Sequence, residues 1–160
     1  MIARREFIKA GFAGSFLLAF AGHVRAATDA RQDMLSAVAA ALLDGMLPAE
    51  GGARRAALVE TVAGVERAVA GLSLPVQREV NELFSLLANP AGRRLLAGVP
   101  ASWGDARGED VAAFLADWRY SRFALLRTAY SALHDLVFGA WYARPENWTA
   151  IGYDGPPEVF

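Results

Sequence analysis

The chain has 160 residues, no cysteine, and 16 basic against 17 acidic side chains, which gives a formal net charge of −1. This length fits a single domain, and the charge balance leaves no basic excess with which to neutralise nucleic-acid phosphates, so no nucleic-acid partner is expected. The lack of cysteine excludes disulfides, thiolate metal sites, iron–sulfur clusters, covalent haem attachment and a cysteine nucleophile.

Residues 1–26 have the layout of a bacterial export signal: a charged start, an apolar stretch and small residues before the cut. The apolar stretch is about 12 residues long, well short of the roughly 20 that cross a bilayer. The charged start resembles the twin-arginine signal at Arg4, Arg5, Phe7 and Lys9. An ordinary secretion signal that happens to begin with two arginines is the alternative. We expect cleavage between Ala26 and Ala27, export to the periplasm through the twin-arginine translocase, and no membrane span in the mature chain.

The predicted mature domain, residues 27–160, has little with which to hold a cofactor. Cleavage removes four basic residues and one acid, which changes the net charge to −4, and leaves His134 as the one histidine. A transition-metal site is therefore poorly supplied with ligands, and neither a dinucleotide-binding glycine pattern nor a phosphate-binding loop is present. We expect no cofactor or metal site in this chain. The twin-arginine route carries folded proteins, commonly with a cofactor already loaded. Either the signal is therefore gratuitous here, or it serves a partner that holds a cofactor.

Apolar residues recur at helical spacing through the mature domain, and no segment alternates as a half-buried strand would. Helices are predicted, in chain order, over residues 31–47, 53–70, 74–88, 90–98 and 109–142. The last segment is unusually long, so we expect either two helices broken near Tyr120 and Ser121 or one helix with a long exposed face. The fold class predicted is all-α, a single-domain bundle of about five helices with an irregular tail from Ala143 onward.

Helix ends are marked by capping residues and by glycine or proline. Thr28 or Asp29 is expected to cap the first helix, which Pro48 and the following glycines end. Ser73 and Asn89, each followed by a proline in the first turn, are expected to cap the third and fourth helices.

A catalytic interpretation of the last helix depends on His134. This histidine lies one turn after Tyr130 and two turns after Arg127, and Asp135 follows it, so an acid/base group can be drawn on one helix face. A single histidine beside an acid on a helix is more often a hydrogen-bonded structural residue, and we expect that role here. Asp117, Arg119 and Arg122 are likewise expected to form surface or interhelical ion pairs.

The tail is the most informative segment of the mature chain. Residues 141–157 contain four aromatic side chains and three prolines, which is too stiff and too apolar for a disordered end. Either the tail folds back as core, or it presents an aromatic face to another protein, and both hold if Trp148 lies inside and Tyr153 outside. The predicted interface residues are Trp141, Tyr142, Pro145, Trp148, Ile151, Gly152, Tyr153, Gly155 and Pro156.

The two ends of the chain resemble one protein family. The twin-arginine start, the stretch Leu42, Leu43, Leu47 and Pro48 at the end of the first helix, and the closing pattern Trp-Tyr-x-x-Pro-x-x-Trp-x-x-Ile-Gly-Tyr-x-Gly-Pro-Pro are similar to the gluconate 2-dehydrogenase subunit 3 family. The middle of the chain is generic amphipathic helix. In that family the small subunit has no active site; its large subunit is a glucose-methanol-choline type flavoprotein that holds FAD and often passes electrons to a c-type cytochrome subunit.

The resemblance implies a non-catalytic, chaperone-like small subunit of a periplasmic dehydrogenase complex, which carries the export signal and helps the flavoprotein subunit to mature. Two other classes stay open: a stand-alone periplasmic helical protein, and an enzyme that uses His134. The residues that contact the oxidised substrate would lie in the other subunit, so this chain does not identify the substrate.

Overall fold

The computed structural model describes residues 20–148 and 152–153, with side chains from residue 26 onward, and this part of the chain is helical without any strand. Its elements are α1 (Phe20–Leu42), α2 (Gly51–Ala70), α3 (Leu74–Ala88), α4 (Pro90–Leu95), α5 (Gly108–Arg119), α6 (Ala124–Tyr142) and a 3₁₀ turn (Pro145–Asn147). The predicted all-α bundle is confirmed.

Helix α1 is the central element of the bundle, because it packs against α2, α3, α5 and α6. Its inward stripe is fully covered at Met34, Leu35, Val38 and Ala39, and Leu43, just after the helix, is buried as well. The prediction for its ends was wrong. The helix begins at Phe20 and runs through Thr28 and Asp29, which are therefore not N-caps. It ends at Leu42 rather than Leu47, because the chain turns at Gly45, whose φ of +79° is a left-handed conformation that glycine adopts without strain.

Helices α2 and α6 are closely packed against each other. Gly64 of α2 faces Ala140 of α6 so closely that a β-carbon at position 64 would lie 2.9 Å from the Ala140 β-carbon. Around this point the interface is filled by the buried residues Thr61, Val65, Leu133, Val137 and Trp141. The small side chains thus set the distance between the two helices.

A buried network fixes the hairpin between α3 and α4 and the loop that follows. Asn89 caps α4 through a 2.8 Å bond from the Ala91 amide, as its sequence predicts. Arg93 is 8 % exposed, and its guanidinium donates to the carbonyls of Val99 and Pro100. Trp103 is buried in the loop and donates from Nε1 to the Leu87 carbonyl at 2.8 Å. These bonds hold an irregular segment against the bundle.

The long periodic segment is broken at the place expected, since α5 ends at Arg119 and α6 begins at Ala124. Between them, the Ser121 hydroxyl accepts a hydrogen bond from the Phe123 amide, and Trp118 donates to the Leu96 carbonyl. The turn is therefore a defined corner of the fold. None of the helices described combines the length and the apolar run that a bilayer crossing requires.

Candidate interaction surface

Seven residues that the sequence singles out lie outside the described residues, and the structure gives no account of them. They are Arg4, Arg5, Phe7 and Lys9 of the export signal and Ile151, Gly155 and Pro156 of the tail. The predicted cleavage residues, Ala26 and Ala27, lie within α1 and are exposed.

The tail is attached to the C-terminal end of α6, where a helix leaves carbonyl groups without intrahelical partners. Asn147 donates from its side chain to the Trp141 carbonyl at 2.8 Å, and Trp148 donates from Nε1 to the Tyr142 carbonyl at 2.7 Å. The 3₁₀ turn that begins at Pro145 carries both side chains back over the helix end. The tail therefore caps α6, and Trp148 is half-buried there.

Beyond Trp148 the chain returns to the same place through Gly152, whose φ is +69°. The Tyr153 amide donates to the Trp148 carbonyl at 3.1 Å, and the two rings meet edge to face with centroids 5.4 Å apart. Tyr153 remains 45 % exposed. Trp148, which is fixed to the end of α6, thus holds the ring of Tyr153 at the surface.

The predicted interface residues divide between core and surface. Trp141 is 3 % exposed and belongs to the core, so its own chain covers it, and we remove it from the candidate surface. Tyr142 is half-buried, and its hydroxyl donates to the Met46 sulfur at 3.7 Å. Pro145, Gly152 and Tyr153 are exposed. The surface that the described part of the tail offers is centred on Tyr153.

An ion pair between Arg144 and Glu146 orients the turn before Trp148. Arg144 donates from Nε to the Glu146 carboxylate at 2.9 Å. The backbone amide of Glu146 and then the Arg144 guanidinium hold the pKa of the Glu146 carboxyl below its usual value. The pair is exposed, so it orients the turn more than it stabilises the fold.

His134 lies in a row of rings along α6 that we call the aromatic row: Tyr130, His134, Phe138 and Tyr142. The imidazole stacks on Phe138 with centroids 4.5 Å apart, and Nδ1 is 3.0 Å from the Asp135 carboxylate. Arg127 does not join this group, because it donates to the Ser121 carbonyl at 2.6 Å. The imidazole thus contacts the carboxylate of Asp135, the next residue in the chain, and stacks within the aromatic row.

The expected ion pairs of Asp117, Arg119 and Arg122 were wrong, since no salt bridge joins these residues in the described part of the chain. The Arg119 guanidinium instead lies over the rings of Tyr120 and Tyr130, at 5.3 and 5.8 Å from their centroids. Arg122 lies 4.8 Å from the Phe123 centroid. Asp117 and Arg119 are two residues apart on one helix and so do not face each other, and the stretch from Trp118 to His134 contains no acid, which leaves aromatic neighbours for the arginines. The absence of acids from residues 118–134 is the sequence feature from which the lack of ion pairs at this turn could have been predicted.

No group of three or more histidine, cysteine or acidic side chains able to hold a metal ion occurs in residues 20–148 or 152–153. Compared with protein-family models, curated proteins and solved structures, the chain gives no match.

Proposed function

We propose that this chain is the small subunit of a periplasmic FAD-dependent dehydrogenase complex of the glucose-methanol-choline type. It has no active site of its own. It carries the twin-arginine signal that takes the folded complex through the translocase, and it assists maturation of the flavoprotein subunit, which holds FAD. A c-type cytochrome subunit, with its haem, is a further expected partner, and membrane association comes through partners alone.

The observation that carries this proposal is the exposed aromatic tip of the tail. Tyr153 is 45 % exposed and rests on Trp148, which is itself bonded to the end of α6. A ring that is already held in place loses little conformational freedom on docking, and exposed tyrosines of this kind are frequent anchors of protein interfaces. Together with the export signal and the closing sequence pattern, the tail supports a subunit that is built to hold another protein.

The test is whether a flavoprotein co-purifies with the full chain from its host. Tyr153→Ala is expected to weaken the complex by about 2–4 kcal/mol, roughly 30-fold to 1000-fold, because it removes the central aromatic anchor. Periplasmic dehydrogenase activity should fall with it. The melting temperature and helix content of the small subunit alone should stay nearly unchanged, whereas Trp148→Ala is expected to lower that melting temperature as well.

His134→Ala is the control that separates this proposal from an enzyme. It removes the imidazole from the aromatic row and, because the proposal gives His134 no part in the chemistry, the turnover of the assembled complex should stay largely intact. If His134→Ala abolishes turnover while Tyr153→Ala leaves the complex unaffected, the chain is an enzyme and the tail is core. A neighbouring flavoprotein gene that lacks its own signal peptide, and carries Gly-x-Gly-x-x-Gly near its start, would favour the small subunit.

A further inference from the structure

The corner between α5 and α6 concentrates positive charge in a chain whose overall charge is negative. Arg119, Arg122 and Arg127 lie within nine residues of one another, and the stretch from Trp118 to His134 has no acid. We call these three residues the arginine corner. All three are exposed, and in the described part of the chain none forms a salt bridge. Their charge is therefore available to a partner.

Large apolar side chains surround the arginine corner and are open to solvent. Tyr120 is 77 % exposed, Phe123 is 56 % exposed and Leu125 is 79 % exposed. Side chains of this size rarely cluster on a surface that touches only water, and a contiguous apolar patch among polar residues marks an interaction site. The rings also support the guanidinium groups of Arg119 and Arg122, which keeps those charges oriented.

A groove of about 410 Å³ runs from the arginine corner along the aromatic row. It is lined by residues of α1 and α5, by Tyr120 next to the end of α5, and by Tyr130, His134 and Phe138 of the aromatic row. Of the arginine corner, Arg119 belongs to the lining. No carboxylate lines it. The groove thus mixes polar and apolar surface, and among its lining residues Arg119 supplies a positive charge.

We infer that the arginine corner and this groove form a docking surface for an acidic segment of a partner protein, with carboxylates on the arginines and an aromatic or aliphatic side chain in the groove. Charge complementarity identifies the occupant. A nucleic acid or an anionic membrane is a long polyanion that meets the field of the whole molecule, which has a net charge of −1. A short acidic segment meets mainly the charges close to it. From Asp117 to Asp135 these are the three arginines and the two flanking aspartates, which leave an excess of one positive charge.

This surface is distinct from the tail. Helix α6 has 19 residues, so the arginine corner and the tail lie at opposite ends of a rod about 27 Å long. The inference does not depend on the proposed function, because it rests on charge and exposure at the α5–α6 turn. Variants at the corner and at Tyr153 therefore separate the two ideas.

The test uses the full chain and a fluorescent peptide, Glu-Glu-Phe-Glu-Glu-Leu-Glu-Glu, with binding followed by anisotropy. We expect saturable binding that weakens when NaCl is raised from about 0.05 M to about 0.5 M, since these charges are exposed. The triple variant Arg119→Glu, Arg122→Glu, Arg127→Glu should lower affinity by about tenfold or more, because attraction becomes repulsion at three places. Tyr120→Ser with Phe123→Ser should also weaken binding.

The matched control reverses three exposed arginines elsewhere, Arg55, Arg78 and Arg94, and so changes the net charge equally. It should bind the peptide within about twofold of the parent chain, since none of the three arginines belongs to the stretch from Trp118 to His134 or lines the groove. If the glutamate triple variant loses helix content, the triple variant with glutamine replaces it.

Equal binding by the corner and control variants would overturn the inference, as would equal binding of a peptide with glutamine in place of every glutamate. Binding of a phosphatidylglycerol vesicle or double-stranded DNA, with no peptide binding, would mean that the surface takes a different class of partner. Salt-sensitive self-association through the corner, measured by sedimentation, would make a second copy of the chain the occupant instead.

Discussion

Gly92 is the residue whose identity the structure constrains most tightly. Helix α4 passes so close to the end of α3 that a β-carbon at position 92 would lie 1.9 Å from the Leu86 carbonyl oxygen and 2.8 Å from its carbon. Both are backbone atoms, which cannot rotate away as a side chain can. We expect Gly92→Ala to lower the free energy of unfolding by at least about 2 kcal/mol. Urea unfolding of the full chain, followed by circular dichroism, measures the loss.

Gly139→Ala is the matched control, because an added β-carbon at position 139 of α6 meets no atom within 4 Å. Alanine favours a helix over glycine by roughly 0.5–1 kcal/mol, so this variant should be more stable than the parent. Equal effects of the two substitutions would mean that α3 and α4 are not as close as described.

Arg93 illustrates how a charged residue serves the core. Its guanidinium is almost fully covered and donates to the Val99 and Pro100 carbonyls, so it satisfies the backbone of a loop rather than a carboxylate. Arg93→Met keeps the length of the side chain but leaves these carbonyls without donors. We expect a loss of about 1.5–3 kcal/mol in the free energy of unfolding, the usual range for a hydrogen-bonded charged group.

The neighbouring Arg94 is exposed and makes no such bonds, so Arg94→Met is expected to change stability by less than about 0.5 kcal/mol. A thermal melt of both variants under one set of conditions compares them directly. If they lose stability equally, the buried position of Arg93 does not matter to the fold.

At the scale of the element, helix α2 starts with an uncommon cap. The Glu50 carboxylate accepts hydrogen bonds from the Ala53 and Gly52 amides at 2.6 and 2.8 Å. These two bonds, that from Ala53 first, lower the pKa of the Glu50 carboxyl below 4.5. As pH falls the unfolded chain takes up the proton first, so the cap stabilises the fold above about pH 4.5 and this contribution is lost as pH falls through the folded-state pKa.

We therefore expect Glu50→Gln to lower the melting temperature near pH 7, and we expect this deficit to shrink as pH falls below 4.5, because protonation removes the charge of the parent's cap. Glu79→Gln, which removes the same charge from an exposed site within α3, is the control and should leave the melting temperature near pH 7 unchanged. A deficit of Glu50→Gln that persists undiminished at low pH would assign the effect to packing rather than to charge.

Helix interiors could be predicted from the sequence better than helix ends. The break near Tyr120 and the cap at Asn89 were found because each has a local signal, a polar interruption or a cap followed by proline. Glu50 was missed because glutamate is not among the common N-caps. The start of α1 was missed because Thr28 and Asp29 resemble caps and yet lie inside a helix that begins earlier.

The candidate surface was predicted in part. Periodicity places Trp141 on the same helix face as the buried Leu133 and Val137, but its ring was also counted as an interface anchor. The exposure of Tyr153 depends instead on how the tail folds back, which periodicity cannot give. Likewise, charge counting predicted ion pairs for Arg119 and Arg122, whereas the rings beside them in space are the actual neighbours.

At the scale of the whole molecule, the proposed export route makes a sharp prediction. The translocase reads two guanidinium groups, for which lysine is a poor substitute, so Arg4→Lys with Arg5→Lys is expected to trap the precursor in the cytoplasm. Cell fractionation and immunoblotting measure the distribution. Arg54→Lys with Arg55→Lys, the same change at another adjacent pair, should leave export intact. Normal periplasmic levels of the Arg4 and Arg5 variant would exclude this route.

The central position of α1 determines the order in which the bundle can fold during synthesis. Synthesis proceeds from the N-terminus, so α1 is made before any of the helices on which it packs. Helix α2 cannot pack against α6 until much later, because α6 begins more than fifty residues after α2 ends. Contacts between segments so far apart cannot form until the later one has been made. A nascent chain that stops after Arg119 should therefore stay sensitive to protease, whereas one extended beyond Tyr142 should become resistant. On the proposed route, the export signal is therefore synthesised long before the domain that it exports can fold, and export of the folded chain must wait until α6 has packed against α2.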